Sequence, residues 1–160
     1  QLSQIMETVD VESPILKNLL GKRILEAWGI ARMGGRLQKR FDELLQMAEV
    51  SKTLEPNGEE CFWKKEQDPE DYLEYRVLGE NDYKRSIEEI PFKELTNGLT
   101  SILRQMISLP QEDLIREGAR EFGFARVGNQ VRDKLAQAIL LMVDQKLAKE
   151  EEGRIKLRGI

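Results

Sequence analysis

The chain has no histidine and a single cysteine, Cys61. A zinc centre of imidazoles and thiolates is therefore all but excluded by residue supply. A nucleophilic Ser or Cys would also lack a histidine to act as its base. One cysteine builds no disulfide framework, and a reducing, cytoplasmic setting fits best. No apolar run approaches the ~18 residues of a membrane-spanning helix, and no basic-then-apolar leader opens the chain. No membrane is expected as a partner. Gly34-Gly35 lacks the Lys-Ser/Thr end of a phosphate-cradling loop, so no catalytic motif, cofactor or metal is expected.

What is present is 160 residues, 40% apolar and 34% charged, with net charge −4. That length allows one ordinary domain or two small ones. The chain begins with Gln rather than Met, which suggests a piece of something longer.

Two small ones is the better reading, because one stretch is written twice. Trp28-Gly29-Ile30-Ala31-Arg32-Met33-Gly34 is followed ninety-four positions later by Phe122-Gly123-Phe124-Ala125-Arg126-Val127-Gly128. Gly29, Ala31, Arg32 and Gly34 recur as Gly123, Ala125, Arg126 and Gly128, and the apolar positions keep their character. In each copy an amphipathic segment ends on an aromatic and then Gly, the residue that tolerates the left-handed backbone of a helix end. A second amphipathic segment starts after the next Gly, giving a helix-turn-helix. Two short apolar runs around a turn come next, which read as a β-hairpin.

The fold expected is mainly α with small β-hairpins: two tandem winged-helix units, each of three helices plus a wing. Unit 1 spans 1–65, a connector with an extended segment spans 66–90, and unit 2 spans 91–160. In unit 1, residues 2–9 form the first helix. Ser13-Pro14 starts the second, with Ile15, Leu19, Leu20, Ile24, Ala27 and Trp28 as its buried stripe. Leu37, Phe41, Leu44, Leu45 and Ala48 line the third, and 50–54 and 61–64 are wing strands about Pro56-Asn57-Gly58. Tyr72, Leu73, Tyr75, Val77 and Leu78 are too apolar for a free linker, and Gly79-Glu80-Asn81-Asp82 is a turn. Ile87 and Ile90 are anchors ahead of the next helix. In unit 2 the stripe runs Leu95, Leu99, Ile102, Leu103, Met106, Ile107. Leu109-Pro110 breaks that helix. Leu114, Ile115, Gly118, Ala119 and Phe122 line the next, and Val131, Leu135, Ala138, Ile139, Met142 and Val143 line the last. A tight wing at 147–149 and 154–157 closes the unit.

Charge separates the copies. From Lys17 to Arg40 there are seven basic residues against Glu26 alone, whereas Gln111 to Lys134 carries five of each sign. From Glu55 to Glu94 acids outnumber bases thirteen to six.

Several runs resemble an uncharacterised domain family: Glu12-Ser13-Pro14-Ile15, Glu26-Ala27-Trp28-Gly29-Ile30, Tyr75-Arg76-Val77, Ile87-Glu88-Glu89-Ile90-Pro91, and Leu109-Pro110 through Gly128. The resemblance implies a place at the C-terminal end of large bacterial proteins that look like superfamily 1 DNA helicases fused to a restriction-endonuclease-like nuclease fold. The resemblance implies an accessory module whose partners are the catalytic domains of the same parent polypeptide. This chain departs from the pattern at Gly35, Asn129 and Gln130, which weakens any phosphate contact by unit 2.

The candidate contacts to double-stranded DNA are Arg32, Arg36, Lys39, Arg40, Lys22 and Arg23, since the third helix of such a unit enters the major groove by its N-terminal residues. The bland alternative is a solvated helix face, paired internally with Asp42 or Glu43. Gly29, Gly34, Gly123, Arg126 and Gly128 are the structural repeat. Arg32 and Arg126 have a structural alternative, capping the preceding helix or bridging to an acid. Trp28, Phe41, Phe122 and Phe124 belong to the core. Trp63 packs on Tyr72 or Tyr75, or stacks on a base. The acidic run 66–71 is solvated rather than metal-binding. Function is then that of a non-catalytic module contacting DNA through unit 1, or else a protein-protein or intramolecular docking module.

Overall fold

A computed structural model describes residues 1–77 and 85–159 and is mainly helical, with two small antiparallel sheets. Leu78 and the turn expected at Gly79-Glu80-Asn81-Asp82 lie outside the described residues. The chain divides into two units, Gln1–Tyr72 and Leu73–Ile160.

In unit 1, apolar residues at helical spacing make α1 (Leu2–Glu12), which buries Ile5 and Val9. It stops at Ser13 because the residue before a proline is driven out of the helical region; Ser13 has φ −60° and ψ 138°. Ser13-Pro14 is therefore not the helix start expected. The hydroxyl of Ser13 accepts from the Lys64 N–H at 2.9 Å and donates to Gln67 Oε1. Ile15 leaves the helical stripe too, because Ile15–Leu16 form a short strand, β1. Then come α2 (Lys17–Trp28), α3 (Gly35–Met47), β2 (Val50–Leu54) and β3 (Glu60–Lys64). The strand order is β1-β3-β2, with Ile15 opposite Phe62 and Val50 opposite Lys64.

The period of two along these strands sorts their side chains. Ile15 and Phe62 join the helix core of Ile5, Leu20, Ile24, Phe41 and Leu44. Leu16, Cys61 and Trp63 form a second cluster on the other face, against which Tyr72 packs. Trp63 meets Tyr72 edge-on at 5.3 Å between centroids, and its Nε1 donates to Thr53 Oγ1 at 2.9 Å. That tryptophan is packed rather than available to a base. Ala27 is exposed, and Trp28 is only half-buried, its indole N–H donating to Gln4.

Unit 2 repeats the element order: α4 (Phe92–Met106), β4 (Ser108–Pro110), α5 (Gln111–Glu121), α6 (Asn129–Asp144), β5 (Ala148–Glu151) and β6 (Arg154–Leu157), with strand order β4-β6-β5. Its core gathers Ile87, Ile90, Leu99, Leu114, Phe122, Leu135 and Met142. Phe124 is half-buried on the edge of that core. Met106 and Ile107 fall off the expected stripe. The helix ends there, with Ile107 at φ 70° and 75% exposed. Of the extended segment, Tyr75 packs on Phe122 at 5.4 Å and donates to Glu121 at 2.7 Å, while Leu73 is exposed.

Gly21 sits mid-way along α2, where an added Cβ would lie 3.5 Å from Phe41 Cε2 and 3.6 Å from Met33 Cε, ordinary contact distances. Gly21→Ala should therefore stabilise unit 1 by ~0.5–1 kcal/mol, the helix penalty of glycine. Denaturant midpoints read by Trp fluorescence would check this; a lower midpoint would show that the space is not there.

Candidate nucleic-acid interface

The turn before each third helix is built from the same hydrogen bonds. In unit 1 the Gly29 N–H donates to the Glu26 carbonyl at 3.2 Å and the Ile30 N–H to that of Leu25 at 3.0 Å. In unit 2 the Gly123 N–H donates to Arg120 at 3.0 Å and the Phe124 N–H to Ala119 at 2.8 Å. This is the Schellman helix end, and it requires a left-handed residue; Gly29 has φ 68° and Gly123 φ 93°. Met33 and Val127 then pack against their cores. Gly34 and Gly128 stand at the N-caps of α3 and α6, and neither helix start has a side-chain cap. A Cβ added at Gly34, Gly35 or Gly128 would meet nothing within 4 Å, so both helix starts are open.

Arg36, Lys39 and Arg40 lie within one face of the first turns of α3, and all three are exposed. Among the described residues, Arg32, Arg36 and Lys39 make no hydrogen bond or ion pair. Arg40 makes only loose ones, 3.7 Å to Glu43 and 3.5 Å to Gln1. Arg126, in the same place as Arg32, is likewise exposed and unengaged. The structural alternative for these two arginines therefore has no contact behind it. Among the described residues, neither caps a helix nor bridges to an acid.

Two expected members, Arg23 and Lys22, are engaged within the chain. The Arg23 Nε lies 3.1 Å from both carboxylate oxygens of Glu12, with Glu26 3.8 Å from Nη1. Glu12 is buried at the end of α1, and a buried carboxylate needs a counter-charge, so Arg23 belongs to the α1–α2 contact. Lys22 is exposed on α2 but engaged within the chain. Lys17, in the same basic window, braces the hairpin to the helices: it pairs with Asp42 at 2.9 Å and Glu60 at 3.6 Å, while Lys52 pairs with Glu60 at 2.7 Å. The hydrogen bond that Lys17 donates to Asp42 raises the Lys17 pKa and lowers that of Asp42, in each case against the cost of burial.

Unit 2 spends the matching positions otherwise. Gln130 and Asp133 stand where Arg36 and Lys39 do. Lys134, in the place of Arg40, turns inward. Its Nζ donates to the carbonyls of Ile90 at 2.6 Å and Ile87 at 3.0 Å, and lies 4.9 Å from the Phe92 ring centroid. Arg132 pairs with Glu112. The third helix carries an outward basic face in unit 1 alone.

Sequence reading missed the buried charge of unit 2. Glu94 is 0% exposed and receives Arg76 Nη2 at 2.8 Å and Arg85 Nη1 at 2.7 Å. Burial pushes its carboxyl up, but the hydrogen bonds from Arg76 and Arg85 carry it below the usual range. The available signal was spacing: Glu94 stands one and two turns before Gly98 and Ile102, on the edge of the apolar stripe of α4. Among the described residues, no group of three His, Cys, Asp or Glu is placed to hold a metal ion, and no helix is long and apolar enough to cross a membrane.

Residues 2–39, from α1 into the start of α3, match the model of a family described as a protein of unknown function, DUF3320. The match fits the resemblance to an uncharacterised domain family. No curated protein and no solved structure matches the chain.

Proposed function

We propose that this chain is a non-catalytic accessory module that holds duplex DNA through unit 1. Three helices, with a hairpin after the third and a short strand after the first, support a winged-helix reading of both units. The observation that carries the proposal is the employment of charge on α3. Arg36 and Lys39, with Arg32 in the turn before them, are exposed and have no partner among the described residues. They stand beside an uncapped helix N-terminus, which favours a phosphate through its free N–H groups and dipole. Arg23 and Lys17 of the same basic window are instead held in internal pairs. A helicase- or nuclease-like parent polypeptide supplies the chemistry in this reading, and its catalytic domains are the second partner.

The test is titration of a labelled duplex with residues 1–160 at several salt concentrations. Non-specific phosphate contact gives a Kd on the order of 10⁻⁴–10⁻⁶ M. Replacing Arg36, Lys39 and Arg40 together by Ala should weaken binding about tenfold or more, and flatten the salt slope by roughly three counter-ions. Absence of binding at low salt, or a slope that ignores the three substitutions, leaves the docking reading in its place.

A further inference from the structure

Unit 2 sets two exposed cations in a different place, Arg116 and Arg120 on α5, among Glu112, Asp113, Glu117 and Glu121. We infer that the hollow between α5 and the turn before α6 is a second nucleic-acid site, one that takes a nucleotide of a single strand: its base against Phe124, its phosphate between Arg116 and Arg120. This inference stands apart from the duplex reading, since it uses no residue of unit 1.

The hollow is open, of about 450 Å³, and is lined by Arg116, Ala119, Arg120, Phe124, Ala125 and Val127. That is within the ~300–1,000 Å³ of small-molecule sites. Its floor is apolar: Ala119 is fully buried, and Phe124 and Val127 rest on the core while still facing the cavity. Arg116 and Arg120 lie one turn apart on α5, so both guanidiniums flank the same side. Their present partners are weak. Arg116 reaches Asp113 at 2.9 Å and Arg120 reaches Glu117 at 3.5 Å, both along the helix surface, with side chains 61% and 73% exposed. Exposed pairs of this kind contribute little, whereas a phosphate offers a guanidinium paired, charge-assisted bonds. Arg126, unengaged, is in the same turn.

Comparison of the copies sharpens the point. The positions matching Arg116, Arg120 and Phe124 are Lys22, Glu26 and Ile30 in unit 1. Only unit 2 combines two cations with an aromatic face, the pairing on which single strands stack and are neutralised. A carboxylate-bearing peptide would satisfy the arginines equally but makes no use of the ring.

The experiment uses the full chain with Arg32, Arg36, Lys39 and Arg40 replaced by Ala, so that the unit 1 face is removed. A labelled oligothymidylate is titrated at low salt, with a labelled polyglutamate peptide as the competing probe. Oligothymidylate is expected to bind and to shift the backbone amide signals of Ala125 and Val127. Adding Arg116→Gln and Arg120→Gln should lower its affinity about tenfold or more. Adding Phe124→Leu, which keeps volume and fold, should lower it at least about fivefold. No binding, an affinity indifferent to both sets of changes, or tighter binding of polyglutamate through the same arginines would overturn the inference. Failure of duplex binding in the unaltered chain would leave it standing.

Discussion

Glu94→Gln should lower the stability of unit 2 by ~3–5 kcal/mol, the usual result of removing one partner from a buried ion pair. The carboxylate is wholly buried in the first turn of α4 and answers both Arg76 and Arg85, of which Arg85 is itself buried. Its Oε1 also accepts the Arg76 N–H at 3.0 Å. Glutamine keeps the shape but removes the negative charge that Glu94 sets against both guanidiniums. Both tryptophans, Trp28 and Trp63, lie in unit 1, so their fluorescence is blind to this loss. Far-UV circular dichroism should show an earlier helical transition while the tryptophan transition stays in place. A shift of under ~1 kcal/mol would mean that solvent reaches the site. Acid should reproduce the effect. A carboxylate held below its ordinary value of 4.5 contributes its full stability above that value and loses it as pH falls through the lower folded one. The unaltered chain should thus weaken as pH drops below 4.5, and the Gln variant should weaken less steeply over the same range.

Phe122→Ala is the second large effect, ~3–5 kcal/mol for an aromatic removed from a packed core. Phe122 is 1% exposed and lies against Tyr75 and Gly98. A Cβ on Gly98 would come within 2.6 Å of two atoms of its ring, which real structures do not tolerate. Gly98→Ala should accordingly cost ~1–3 kcal/mol by overpacking, the opposite sign from Gly21→Ala. Combined with Phe122→Ala, the same substitution should become neutral or favourable, because the methyl enters the space left by the ring. Strong non-additivity in that double-mutant cycle is the diagnostic. Simple addition of the two losses would show that Gly98 and Phe122 do not meet.

Much of the fold was legible. The repeat around Gly29 and Gly123 located the ends of α2 and α5 and the starts of α3 and α6, since a left-handed helix end leaves a glycine in the sequence and the flanking stripes have a period of 3.6. The hairpins, expected at 50–54 with 61–64 and at 147–149 with 154–157, lie at 50–54 with 60–64 and at 148–151 with 154–157, so their presence was readable and their bounds only nearly so. The strands β1 and β4 were not. Two or three residues carry no period, and Ile15 and Leu109 become strand only because β3 and β6 run beside them. The exposed ends of stripes, such as Ala27 and Ile107, were hidden for the same reason: a pattern says where a face lies but not where its neighbour stops.

The candidate interface divides along the same line. Sequence alone determined that positive charge concentrates between Lys17 and Arg40, and that Arg32 recurs as Arg126, because composition and repetition are properties of the string. Which of those charges face outward was decided by tertiary structure. Arg23 is taken by Glu12 across the α1–α2 contact, Lys17 by Asp42 and Glu60, and Lys134 by the carbonyls of the segment before α4. For Arg23 and Lys134 the acceptor is buried, and an unpaired buried acceptor is expensive; for Lys17 it is a partly exposed pair of carboxylates within reach. Reach is a matter of three-dimensional neighbours, and Glu12 and Ile90 are distant from Arg23 and Lys134 along the chain.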